Sequence, residues 1–111
     1  MTPAYYEARA CGDFMQGLLW RPRTIEEFFC AWYFEGNKAR LAGQPRHTHE
    51  RAYEAIVWLV DMGLVDIDAD EVITVRESSR ADARLFADEF GRGPILLMTP
   101  AGFAAAYGDT S

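Results

Sequence analysis

One stretch near the middle of the chain carries a complete helix signal: residues 48–65, THERAYEAIVWLVDMGLV. Thr48 is a residue type that caps helix N-termini, because its side-chain oxygen accepts a hydrogen bond from a free backbone amide. Apolar residues then recur at helical spacing. Gly63 is the residue type that takes the left-handed conformation just past a helix end, and Leu64 can fold back onto Leu59 to seal that end. The stretch therefore predicts an amphipathic helix with a defined start and stop.

A second helix is predicted upstream. Thr24 and Glu27 have the spacing of a capping box, in which each side chain takes a free backbone amide of the other residue. The apolar residues that follow at helical spacing are Ile25, Phe28, Phe29 and Trp32. Gly36-Asn37 predicts the end of this helix. Residues 36–47 are then predicted to form a polar connection, with room for one short helical turn.

Another helix is predicted at the N-terminus, where Thr2-Pro3 has the composition of a helix start. Its apolar face consists of Cys11, Phe14, Met15, Leu18 and Leu19. Arg21-Pro22 predicts its end, since proline cannot continue a helix.

The residues after the central helix predict β structure followed by helix. Residues 65–75 alternate acidic and apolar side chains, which indicates a hairpin with its turn at Asp70-Glu71, or one edge strand. Residues 79–90 predict a short helix with Ser79 and Asp82 as its capping pair. A short buried strand is expected at residues 95–98, and Thr99-Pro100 predicts the start of a last helix.

Length and composition bound the class of protein. With 111 residues, half of them apolar, the chain is expected to form one packed domain. The longest uninterrupted apolar run, residues 55–60, is far shorter than the roughly 20 residues of a membrane helix. We expect a cytoplasmic protein without a membrane partner. Cys11 and Cys30 are expected to be small buried hydrophobes, with a disulfide or a reactive thiol as alternatives.

The formal charge of −6 is unevenly distributed. Residues 38–51 carry four basic and one acidic side chain, a net charge of +3, whereas residues 52–111 carry four basic and eleven acidic side chains, a net charge of −7. A protein that binds polyanions is usually basic overall. Only the segment at and before the start of the central helix has that character, so residues 38–51 are the candidate contact to nucleic acid.

Two pieces of sequence resemble winged helix-turn-helix regulators: residues 53–65, YEAIVWLVDMGLV, and residues 97–102, LMTPAG. The resemblance covers roughly residues 23–107. It implies an α+β fold, mainly helical with a small antiparallel β-hairpin or wing, within a single domain spanning residues 1–111. The N-terminal helix, residues 1–22, is then expected to be a dimer element.

The resemblance also implies a function. The helix that ends in Gly-Leu-Val looks like the recognition helix, whose N-terminal residues face the major groove of double-stranded DNA. The expected DNA-binding residues are Lys38, Arg40, Arg46, His47, Thr48, His49 and Arg51. Arginine reads guanine edges, whereas cations such as Lys38 and Arg40 hold phosphates. We expect a small transcriptional regulator that acts as a homodimer, without catalytic activity, cofactor or metal.

Three alternatives remain open. An acidic interaction module, such as an inhibitor or adaptor from a phage or mobile element, would dock a protein and not DNA. Residues 66–77 place acidic residues where a calcium loop has its ligands, but Glu71 replaces the glycine of the sharp turn. His47 and His49 could hold zinc together with a cysteine, although no cysteine pair has ligand spacing.

Overall fold

The computed structural model describes residues 5–43 and 47–91. Helices make up 71% of these residues. The helices are α1 (Tyr5–Trp20), α2 (Ile25–Leu41), α3 (His49–Asp61) and α4 (Arg80–Phe90), with a 3-10 turn at Glu77–Ser79. The strands are β1 (Arg23–Thr24), β2 (Val65–Ile67) and β3 (Val72–Val75). The predicted α+β class, mainly helical with a small antiparallel sheet, is confirmed.

The three strands form one antiparallel sheet in the order β1-β3-β2. β2 and β3 form a hairpin, with Val65 opposite Val75, and Thr24 of β1 pairs with Val72 on the other side of β3. Asp68 makes the turn, because its Oδ1 accepts the backbone amides of Asp70 and Val72, both at 2.9 Å. The predicted hairpin is therefore confirmed.

The start of α2 is confirmed, but its predicted end is wrong. Thr24 Oγ1 accepts the amide of Glu27, whose carboxylate accepts the amide of Thr24, so the capping box is complete. The helix does not end at Gly36-Asn37 and continues to Leu41. Gly36 stands where the helix passes close to His47, since a Cβ at Gly36 would lie 2.8 Å from the Cβ of His47. This glycine therefore permits a close approach and does not stop the helix.

Both ends of α3 are confirmed. Thr48 Oγ1 accepts the backbone amide of Arg51 at 3.2 Å, which is the predicted N-terminal cap. Gly63 has a φ of 76°, the left-handed conformation expected past a helix end. The amide of Leu64 reaches back to the carbonyl of Leu59 at 3.2 Å. The chain is thereby turned directly into β2.

Most of α1 is buried in the core. It packs against α2 and α4, and the ring of Phe14 meets that of Phe28 edge-on with 5.1 Å between centroids. The rest of the core comes from one face of α3 and the inner residues of the sheet, such as Leu59 and Ile73. The expected role of α1 in a dimer stays a prediction.

The helix predicted at residues 79–90 is confirmed as α4, although no side-chain hydrogen bond from Ser79 caps it. The strand predicted at residues 95–98, the helix start at Thr99-Pro100 and the helix start at Thr2-Pro3 lie outside the described residues. Of the four helices described, none is long and apolar enough to cross a membrane.

Candidate interaction surface

The predicted DNA-binding residues lie around the junction of α2 and α3. Lys38 and Arg40 belong to the last turns of α2. Arg40 is exposed, whereas Lys38 is half-buried with its Nζ 5.2 Å from the ring centroid of Phe34. Arg46 lies outside the described residues. The other four predicted residues are described, and each makes a contact within the protein.

Arg51 is held by two carboxylates. Its Nε and Nη2 donate to the two oxygens of Glu7 at 2.9 and 2.6 Å, and its Nη1 donates to Glu54 at 3.0 Å. The hydrogen bond to Glu7, followed by the charges of Glu7 and Glu54, raises the pKa of Arg51 above its usual range. All three guanidinium nitrogens therefore have acceptors inside the protein, and the charge of Arg51 is compensated locally.

His47 is buried, although it precedes the N-terminus of α3. Its ring lies against Trp32, with 4.6 Å between centroids. Burial lowers the pKa of His47, while a hydrogen bond with the backbone of Tyr6 and the charge of Glu7 oppose that shift. Its Nε2 has no hydrogen-bond partner among the described residues. The structure thus places His47 in the core, and its predicted contact to DNA stays a prediction.

Thr48 and His49 start α3. Besides capping the helix, Thr48 accepts a hydrogen bond from Trp32 Nε1 on its carbonyl oxygen at 2.9 Å. His49 is exposed, and its Nδ1 lies 2.9 Å from the hydroxyl of Tyr33. Its ring stacks on Phe29, with 4.7 Å between centroids. Thr48 therefore positions the helix start, whereas His49 contributes an accessible ring.

Four rings from α2 and α3 form an aromatic cluster at the surface: Phe29, Tyr33, His49 and Tyr53. The ring of Tyr53 meets His49 and Phe29 edge-on, with centroid distances of 5.2 and 5.6 Å. His49 and Tyr53 are exposed, and the other two rings are half-buried. The spacing of the sequence put Phe29 on the apolar face of the predicted helix, and the meeting of these four rings was not among the predictions. The i, i+4 spacing within each helix was the available signal.

The exposed face of α3 is acidic and apolar. It presents Glu50, Tyr53, Glu54, Val57 and Asp61, which recur at helical spacing. Tyr53 and Val57 are large hydrophobic residues that are 46% and 56% exposed. Arg51 is the one cation of α3, and it is already paired. This face therefore presents carboxylates and apolar side chains.

The hairpin adds further negative charge. Asp66, Asp68, Asp70 and Glu71 are all exposed. Arg76 compensates one of them, because its Nη2 donates to Asp66 at 2.8 Å. The carboxylate of Asp68 is occupied by its own turn. No group of three or more metal-ligating side chains occurs within residues 5–43 and 47–91.

Both cysteines are free thiols. Cys11 is buried as expected, and burial raises the pKa of its thiol, so the thiol stays protonated at neutral pH. Cys30 is half-buried, and its pKa is also raised, by burial and by Glu27 and Glu26.

Comparisons with protein-family models, with curated proteins and with solved structures found no match for this chain.

Proposed function

We propose that this chain is a winged helix-turn-helix domain that serves as a protein-binding module through α3. The proposal of the fold rests on the order of the elements. Its support is that α2, α3 and the hairpin of β2 and β3 follow one another in the order in which such a domain has its two helix-turn-helix elements and its wing. In this arrangement α3 is the helix presented to a ligand.

The observation that carries the function is the charge of α3. A helix that enters the major groove needs free donors and cations to meet base edges and phosphates. The single arginine of α3 is bound to Glu7 and Glu54, and the exposed residues of α3 other than His49 are acidic, aromatic or apolar. Since DNA carries one negative charge for about every 1.7 Å of helix axis, this face would be repelled by it.

The same charges favour a basic protein surface. Complementary potentials steer protein encounters and determine which partners are rejected, whereas exposed aromatic and aliphatic side chains supply most of the affinity. Tyr53 and Val57 provide such side chains on α3. Glu50 and Glu54 provide a negative electrostatic potential. The acidic hairpin extends the potential beyond the helix.

Photo-crosslinking in the native host tests this proposal. A photoreactive amino acid at Val57 samples the exposed face of α3, and the same amino acid at Leu85, which is exposed on α4, is the matched control. We expect a defined protein adduct from position 57 that is lost in Glu50→Lys, and no such adduct from position 85. Equal adducts at both positions, or an adduct with DNA at position 57, would contradict the proposal.

DNA binding is the second candidate, as a small homodimeric transcriptional regulator. Its support is the segment of residues 38–51, where Arg40 is exposed on the last turn of α2. Fluorescence anisotropy with a labelled mixed-sequence duplex at low and rising salt is the test, because counterion release makes phosphate contacts salt-dependent. Binding that weakens steeply with salt and is lost in Arg40→Ala and Arg46→Ala would establish this function. Absence of binding at low salt would exclude it.

A further inference from the structure

We propose that the aromatic cluster and the two carboxylates beside it form a binding site for arginine side chains of a partner protein. This inference rests on the proposed protein-binding function and names the partner's chemistry. The site consists of Phe29, Tyr33, His49 and Tyr53 together with Glu26 and Glu50.

The four rings of this aromatic platform contact one another, and two of them are exposed. The ring of His49 stacks on that of Phe29 and meets that of Tyr53 edge-on, and a hydrogen bond between its Nδ1 and the hydroxyl of Tyr33 fixes its orientation. Since His49 and Tyr53 are exposed, a planar group can lie over them without movement of the backbone. The platform is preorganised, which lowers the entropic cost of binding.

Two carboxylates lie about one helical turn before rings of the platform. Glu26 lies three residues before Phe29 on α2, and Glu50 lies three residues before Tyr53 on α3, so each shares a helix face with a ring. Both are exposed, and neither forms an ion pair with any residue within 5–43 or 47–91. A cation above the rings would therefore meet two carboxylates that no described cation pairs with.

Arginine is the side chain that matches both features. Its guanidinium is planar and weakly hydrated, stacks on aromatic rings and donates two parallel hydrogen bonds to one carboxylate. Lysine offers a point charge and no plane for stacking. Nucleobases also stack on aromatic side chains, but their phosphates would meet Glu26 and Glu50. The acidic hairpin has the charge without the rings, so it serves as an internal comparison.

Amide NMR spectra of the full chain test the site with defined peptides. The probes are peptides that alternate glycine with arginine, lysine or glutamate. We expect the arginine peptide to shift the amides of residues 49–53 and of Phe29 and Tyr33, the lysine peptide to shift them less, and the glutamate peptide not to shift them. Tyr53→Ala should weaken binding of the arginine peptide about two- to fivefold, which corresponds to the free energy of an exposed cation–π contact.

Matched variants separate the site from general attraction to an acidic protein. Tyr5→Ala removes another exposed tyrosine, and Glu89→Gln removes another exposed carboxylate, so both should leave peptide affinity unchanged, whereas Glu50→Gln should lower it. Shifts confined to residues 66–71, equal shifts with the lysine peptide, or no shifts would overturn the arginine site. So would stronger shifts of the same amides by a single-stranded oligonucleotide. The crosslinking at Val57 would still decide whether α3 binds a protein at all.

Discussion

The guanidinium of Arg51, on the first turn of α3, holds the carboxylate of Glu7, on the first turn of α1, through two hydrogen bonds of 2.9 and 2.6 Å. The two residues are 44 positions apart in the chain. Their side chains differ in exposure, 8% for Glu7 and 37% for Arg51. This pair joins the two helices and compensates the charge of the one arginine of α3.

The pair should respond unequally to the loss of either partner. Arg51→Ala removes two hydrogen bonds from the buried carboxylate of Glu7 and should lower the free energy of unfolding by about 2 to 3 kcal/mol. Glu7→Ala leaves a guanidinium that water can reach, and the loss should be about 1 kcal/mol. Urea unfolding of both variants measures the difference. Equal losses would contradict the assigned burial.

His47 should make stability depend on pH. Because burial lowers its pKa below the ordinary value of about 6.5, the unfolded chain binds a proton more readily than the folded one. The stabilisation by neutral His47 is present above pH 6.5 and is lost as the pH falls toward the lowered pKa. Unfolding free energies between pH 7.5 and 5 should decrease, and less so in His47→Gln. If NMR showed that the ring of His47 titrates with a pKa at or above 6.5, this prediction would be contradicted.

Gly12→Ala should destabilise the protein, although alanine favours helices by about 1 kcal/mol over glycine. A Cβ at Gly12 would lie 2.5 Å from the Cβ of Phe90 and 2.6 Å from the backbone nitrogen of Gly91. Overpacking of this kind lowers stability by about 1 to 3 kcal/mol. Thermal unfolding gives the sign, and a raised melting temperature would show that α1 and α4 are not in this close contact.

Two arginines that share Glu27 should differ in importance. Arg23 is buried. It donates hydrogen bonds to Glu27 Oε2 and to the carbonyl oxygen of Gly17, both at 3.0 Å. Arg21 is exposed and reaches the same oxygen at 3.5 Å. Arg23→Ala should lower stability by about 3 kcal/mol or more, since it leaves Glu27 without its buried partner. Arg21→Ala, the control, should change it by less than about 1 kcal/mol. Similar decreases in the free energy of unfolding of the two variants, measured with urea, would be inconsistent with this geometry.

Glu71 has a φ of 61°, a left-handed conformation that favours glycine or asparagine. Glu71→Asn should therefore raise the free energy of unfolding by about 0.5 to 1 kcal/mol. Asp70→Asn is the control, because it removes a neighbouring negative charge without relieving the backbone. If the free energy of unfolding rises equally in both variants, the cause of the gain is relief of charge repulsion in the hairpin and not relief of the backbone conformation.

Part of the candidate surface was visible in the sequence and part was not. The basic composition of residues 38–51 is a property of the chain, and it predicted a contact to DNA that stays a prediction. The pairing of Arg51, the burial of His47 and the assembly of rings from α2 and α3 all depend on residues distant in sequence. A count of charges cannot show which of them are already compensated.

By itself, the sequence determined the features that depend on neighbouring residues. The capping box of Thr24 and Glu27, the cap at Thr48 and the turn at Gly63 involve partners within five positions, so their residue types suffice. Only the tertiary structure decided that α2 continues through Gly36, which packs against His47, and that Arg51 turns toward Glu7. The physical reason is the range of each interaction: backbone capping is local, whereas close packing and ion pairing require elements that meet only in the folded chain.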